Sequence, residues 1–244
     1  MRLSVRKLAD GAYGTNLLRL SPTPDLLNLS DPQQVEALHD AYAAAGSEIL
    51  RTNTFMLPEA ALEGGRIALR AARDREVWGC VGPKQEQRGK DTNTLVLNHF
   101  RALRQAGITH LHLETFFSPE SLEIALSCAS SLDFSEVSVS LFLPPTTDTE
   151  STIEPFLPVM LRHGIDHVSL NCVPPDSRLR AALLHLLGNE QVERLSVFPE
   201  AAGLPPRQWA LRMAETLAGL PLYAVGGCCG TTPEHIRELG KFLK

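Results

Sequence analysis

Short apolar runs alternate with longer stretches of helical periodicity from one end of this chain to the other. Eight of the runs read as strands, near residues 8–10, 48–53, 77–82, 109–115, 136–143, 167–172, 194–199 and 222–227. Between the first two, DPQQVEALHDAYAAAG offers Asp31 as N-cap, Pro32 at the first helical position and Gln34 two residues on. Val35, Leu38 and Tyr42 then recur at helical spacing. SPESLEIALSCA repeats the device with Ser118 and Pro119, and TTPEHIREL with Thr232 and Pro233. Further helices fit 59–73, 91–106, 152–163, 176–187 and 205–218, and the Pro-rich piece 143–155 reads as a long loop.

Eight strands and eight helices in ~30-residue units imply a parallel sheet. At 244 residues, closure into a barrel is favoured over an open doubly wound sheet. The G-x-G-x-x-G turn of an open dinucleotide fold is missing after the first strand. The expected architecture is α/β, a single compact (β/α)8 TIM barrel in one domain spanning 1–244.

Composition narrows the partners. Hydrophobic residues make up 43% of the chain, enough for a sizeable core. The net charge is −5 and no Lys/Arg-rich run appears, which argues against nucleic acid or an anionic membrane surface. The N-terminus reaches Asp10 without an apolar h-region, and no apolar run approaches the ~18 residues of a membrane span, so a cytoplasmic protein is expected. Five cysteines, an odd number, read as thiols or metal ligands rather than a disulfide framework.

The active face of such a barrel lies at the C-terminal ends of its strands. There the sequence places Asp10, the pair Thr52 and Asn53, Glu114 with Thr115, and Asn171 with Cys172. Glu200 follows the seventh strand, and Cys228 and Cys229 follow the eighth, in VGGCCGTTPEHI. The sixth and eighth strands are close around a closed barrel, so three cysteines can converge. Three thiolates at one point suit zinc and leave a fourth position open. Gly226, Gly227 and Gly230 would let the backbone bend so that both adjacent cysteines face one ion. Cys80 and Cys128 read as small buried hydrophobes, and His110 and His112 as hydrogen-bonded packing residues.

The pieces DGAYGT (10–15), RTNTF (51–55), GP (82–83), ETFFSPES (114–121), LNC (170–172) and GGCCGTTPEHI (226–236) together resemble the zinc-dependent homocysteine S-methyltransferases. That family includes the homocysteine-binding module of cobalamin-dependent methionine synthase and the S-methylmethionine- and betaine-dependent enzymes. The resemblance implies zinc on Cys172, Cys228 and Cys229, with homocysteine sulfur taking the open position and accepting a methyl group to give methionine. It implies Asp10 and Glu114 on the homocysteine ammonium. Backbone near Gly11 and the Thr52–Asn53 pair would hold the carboxylate.

Where the family commonly shows P-N-A-G after the seventh strand, this chain reads PEAAG (199–203), with Glu200 in the Asn position. Its carboxylate is expected to fill zinc's fourth position when homocysteine is absent. The compact 82–94 segment and the short stretch before Asp10 suggest trimmed loops and a wide mouth. Candidate donors are S-methylmethionine, S-adenosylmethionine, or a methyl-corrinoid or folate on a carrier protein, with betaine less expected. Methyl transfer to another small thiol or selenol, and a non-catalytic zinc-binding barrel subunit, are the alternatives.

Overall fold

The computed structural model describes residues 2–84, 91–145 and 148–243. Eight parallel strands form one sheet: β1 Val5–Leu8, β2 Ile49–Arg51, β3 Glu76–Val81, β4 His110–Phe116, β5 Glu136–Phe142, β6 His167–Asn171, β7 Arg194–Phe198 and β8 Leu222–Val225. Their order is β1-β8-β7-β6-β5-β4-β3-β2. A bridge between Ala9 and Ile49, with Glu48 N donating to Leu8 O at 2.6 Å, brings the two ends together into a barrel. The expected TIM barrel is the fold observed.

β1 begins earlier than the 8–10 expected. Val5 and Lys7 pair with Leu222 and Ala224, and the interleaved Arg6 and Lys7 hide this strand from an apolar-run search. The region expected as one helix over 152–163 is three short pieces: Thr149–Ile153, a 3-10 turn Glu154–Phe156, and Leu157–Arg162. Proline at 155 lacks the N–H a continuous helix would use there. The helix Thr149–Ile153 starts inside the stretch expected as loop, because Asp148 accepts from Ser151 N at 2.9 Å and caps it. Residues 85–90 of the compact 82–94 segment, and residues 146–147 of the Pro-rich piece, lie outside the described residues.

Ser118 caps its helix as expected, accepting from Ser121 N. Thr232 does so in a capping box whose second member is His235, an unusual residue for that place. Asp31 stands at the N-cap position without a side-chain cap bond. Two short helices, Gly14–Leu17 and Leu27–Ser30, with a 3-10 turn Pro24–Leu26 between them, were not foreseen. They stand after β1, and Gly14, Pro24 and Asp25 from the first helix and the turn line the cavity at the active face.

The apolar core lies between sheet and helices, with Ile67, Phe100, Leu111, Val168 and Leu183 fully buried. The barrel interior is different. Barrels are usually filled by branched aliphatic residues, but here Trp78 and Phe198 share the space with His110, His112, His167, Ser138, Ser140, Ser169 and Ser196. His110 and His112 both bond Ser138 Oγ at 2.8 Å, and His167 bonds Ser196 Oγ at 2.9 Å. At the N-terminal end of the barrel, Glu136 joins His167 at 2.8 Å and Arg194 at 2.7 Å. His110, Glu136 and His167 are close enough together to hold a metal ion. In this structure Glu136 Oε1 pairs with both Arg194 and His167, so the group stands as a hydrogen-bonded and ionic network. Among the described residues, no helix is long and apolar enough to cross a membrane.

Candidate functional site

A cavity of about 410 Å³ opens at the C-terminal ends of the strands. Gly11, Arg51, Thr52, Asn53, Cys80 and Glu114 line it, and Cys172, Cys228 and Cys229 stand together at one side. Cys172 follows β6 and the adjacent pair follows β8, so β7 lies between the two loops. Both loops hang on its end: Cys172 N donates to Phe198 O at 3.1 Å and Cys228 N to Pro199 O at 2.8 Å. The three sulfurs lie within 4.8 Å of one another. Cys229 Sγ is 3.3 Å from that of Cys172 and 4.0 Å from that of Cys228.

Cys172 and Cys228 bring their sulfurs into direct contact, so that a disulfide can form between them on oxidation. Pairing and metal ligation are alternatives for the same atoms. A disulfide there would take two of the three donors out of use, and its two-electron reduction would return them. Three soft sulfur donors converging on one point fit a zinc ion with one position left open. Burial raises the Cys229 thiol pKa, and the carboxylates of Glu114 and Glu200 raise it further. A cation among the sulfurs would reverse that balance.

The glycines act differently from expectation. Only Gly230 uses a left-handed backbone, with φ of 77°. Gly226 and Gly227 are needed for close approach: a Cβ on Gly226 would stand 2.5 Å from Asp10 O, and one on Gly227 2.5 Å from Thr231 Oγ1. The bend that aims the first sulfur belongs to Cys172 itself, at φ of 53°, and Thr115 on the neighbouring wall has φ of 66°. Non-glycine residues in this region carry strain of ~1–3 kcal/mol each and gather at functional sites.

Glu200 is held by its backbone. Its N donates to Val173 O at 3.2 Å and its O accepts from Trp209 Nε1 at 2.9 Å. The turn beyond it runs through Ala202 at φ 50° and Gly203 at φ 71°, which absorbs the additional residue. Its carboxylate is not part of the three-sulfur cluster. Burial alone raises its pKa.

The opposite wall is built around a residue that sequence reasoning passed over. Arg51, in RTNTF, is 3% exposed. Its Nε donates to Asp10 Oδ1 at 2.9 Å, its backbone N to Asp10 Oδ2 at 2.7 Å, and its Nη2 to Gly227 O at 2.6 Å and Gly11 O at 3.1 Å. The guanidinium lies 4.6 Å over the Phe198 ring. Asp10 is fully buried and also accepts from Tyr13 OH at 2.8 Å. Burial raises the Asp10 pKa against the opposing pull of Arg51. A signal for Arg51 existed: an arginine inside the apolar run EILRTN must be paired if it is buried.

Glu114 is 8% exposed and central to this wall. It receives Arg51 Nη1 at 3.4 Å, Asn171 Nδ2 at 3.5 Å and the Cys80 thiol. Cys228 Sγ is 3.8 Å away. Cys80 is therefore more than a small hydrophobe: it faces the cavity, and burial followed by the Glu114 charge pushes its pKa well above the ordinary thiol value. Cys128 is buried away from the cavity. Asn171 is held by Ser140 Oγ at 2.8 Å and donates to Thr115 Oγ1 at 2.7 Å. Thr52 and Asn53 line the cavity with their side chains engaged. Thr52 Oγ1 accepts from Cys80 N at 2.9 Å, and Asn53 Nδ2 donates to Pro24 O at 3.0 Å and Asn28 Oδ1 at 3.1 Å.

The family model described as homocysteine S-methyltransferase matches residues 7–243. Methionine synthases of Mycobacterium leprae and Mycobacterium tuberculosis are each 28% identical over 95% of this chain. The match spans 24% of the length of each of those relatives. Among solved structures, the metallated form of the homocysteine methyltransferase MmuM from Escherichia coli superposes with a TM-score of 0.77 at 20% identity, covering 97% of this chain and 96% of that one. Its oxidized form also gives 0.77, at 19% identity, covering 97% and 95%. Eight strands in barrel order, three sulfurs at their C-terminal ends and a family match over almost the whole chain converge on one assignment: the protein belongs to the homocysteine S-methyltransferase family, a family of methyl-transferring enzymes.

Proposed function

We propose that this protein transfers a methyl group to the thiol of homocysteine, giving methionine, at a zinc site formed by Cys172, Cys228 and Cys229. The observation that carries the reading is the meeting of these three sulfurs, from two separate strand ends, inside the cavity at the barrel mouth. Bound zinc would supply an open position at which an alkyl thiol is held as its thiolate. Glu114, beside Cys228, is placed to take the substrate ammonium. Gly11, Thr52 and Asn53 form the wall against which the amino-acid end lies. In the transfer, the sulfur–methyl bond forms as the donor–methyl bond breaks, and the electron pair of that bond leaves with the donor. The thiol proton is released to solvent through the open mouth.

S-methylmethionine, S-adenosylmethionine and a carrier-bound methyl-corrinoid or folate all meet the requirement for an activated methyl group. Resemblance to methionine synthases favours a carrier-bound donor. The test incubates reduced, zinc-loaded protein with homocysteine and each donor in turn, and measures methionine by mass. Zinc at about one per chain with methionine from at least one donor is expected. Absence of zinc binding by the reduced protein would overturn the reading.

A further inference from the structure

The carboxylate expected to bind the substrate ammonium, Asp10, cannot reach it in this structure. It is 0% exposed and forms no part of the cavity wall. One oxygen is held by Arg51 Nε, and the other by Arg51 N and Tyr13 OH. Arg51 and Tyr13 reach the cavity from this cluster, and Arg51 is its only cation. Its Nε and Nη2 are spent on Asp10 and on the carbonyls of Gly11 and Gly227. Nη1 is left with a long contact, 3.4 Å to Glu114 Oε1. The Phe198 ring behind the guanidinium and the Asp10 carboxylate beside it fix the plane of that free edge.

A cation and an anion thus stand side by side on the wall facing the sulfurs. An α-amino acid carries its ammonium and carboxylate on one carbon, at a matching separation. Such a zwitterion would exchange the weak Arg51–Glu114 contact for two charge-assisted bonds, and a guanidinium suits a carboxylate better than a point charge does. We propose that Arg51 binds the α-carboxylate of the acceptor while Glu114 binds its ammonium, and that Asp10 is the buried anchor of Arg51 and does not touch substrate. This rests on the homocysteine reading above. It makes the site selective for a thiol that is also an α-amino acid.

The experiment compares homocysteine with 3-aminopropane-1-thiol, which is homocysteine without its carboxylate, by calorimetry on reduced, zinc-loaded protein. Wild-type protein is expected to prefer homocysteine by about tenfold or more, the usual worth of a charge-assisted bond. Arg51→Gln combined with Asp10→Asn removes both buried charges together, so neither is left uncompensated. With zinc content unchanged, this variant is expected to bring the preference to about twofold or below. Asp10→Asn alone should keep most of the preference, because Arg51 remains.

An undiminished preference in the double variant would overturn the proposal. So would an Asp10→Asn protein that loses affinity for both thiols as severely as Glu114→Gln does, because Asp10 would then hold the ammonium. If the double variant fails to fold, Arg51→Lys serves in its place. It keeps the charge without the planar fork, so a reduced preference supports the proposal and an unchanged one overturns it. Wild-type protein that binds neither thiol would bring down the functional reading itself, a result distinct from any change in preference.

Discussion

The three cysteines reach the shared point by two backbone devices. Cys172 takes a left-handed conformation that a cysteine seldom adopts, whereas Cys228 and Cys229 are carried in on a loop pressed against the end of β1. Replacing any one of them with alanine removes a direct sulfur donor. Zinc affinity should then fall by more than the ~10–100-fold lost when a group that merely orients a ligand is removed. Cys128→Ala should leave the metal in place. Because Cys172 and Cys228 can pair on oxidation, protein that has been oxidised should take up zinc only after thiol reduction. Metal analysis before and after thiol reduction checks both expectations; uptake that is identical in Cys172→Ala and wild-type protein would refute the ligand set. Glu114→Gln should weaken homocysteine binding tenfold or more, as the loss of ~1.5–3 kcal/mol implies, while leaving zinc content unchanged. Calorimetry reads the first effect and metal analysis the second. The cysteines were legible in the sequence because their type and strand-end placement have few other uses. The partner of Arg51 was not, because a buried ion pair depends on which residue stands on the neighbouring strand, and Asp10 is 41 positions away along the chain.

At the scale of elements, the β8 loop is the part most sensitive to small changes. Thr231 Oγ1 donates to Cys228 O at 2.6 Å and accepts from Ala12 N at 3.2 Å, so it ties the cysteine loop to the loop after β1. A methyl group at position 227 would fall on that hydroxyl. Gly227→Ala should therefore destabilise by about 1–3 kcal/mol, the usual cost of forced overpacking. It should also loosen zinc binding, although no ligand is changed. A variant with wild-type melting temperature and metal affinity would show that the loop tolerates the shift. Sequence periodicity located the strands and most helices well, since burial against a sheet imposes a clear repeat. It failed at Gly14–Leu17 and Leu27–Ser30, whose four residues each are too short to show one. It also misjudged why Gly226 and Gly227 are glycines, because close approach by Asp10 and Thr231 is a tertiary fact that the loop's own sequence does not carry.

The molecule as a whole carries an unusual load of buried, neutral imidazoles. His39, His99 and His112 are fully buried and His110 nearly so. Burial lowers His39 and His110 from the ordinary 6.5 to about 3, and puts His99 and His112 well below 6.5. A folded-state pKa below the unfolded one means that the unfolded chain takes up protons first as pH falls. The stability these groups confer is then complete above about pH 6.5 and is lost progressively below it, toward pH 3 for His39 and His110. Each contributes a slope of up to ~1.4 kcal/mol per pH unit in that window. Glu136 adds to the effect lower down. Burial would raise its pKa, but the bond from His167, the neighbouring His110 and the charge of Arg194 bring it from 4.5 to about 2, so its contribution is lost as pH falls from about 4.5 toward 2. A whole domain is stable by only ~5–15 kcal/mol. Four histidines acting together can remove most of that within one to two pH units below 6.5. The urea midpoint should therefore hold steady from pH 8 to 7, drop steeply between 6.5 and 5, and drop less steeply in His112→Gln, whose unfolding takes up one proton fewer. A midpoint that stays flat from pH 7.5 to 5.5 would mean that these rings are protonated in the fold, or that water reaches them inside the barrel.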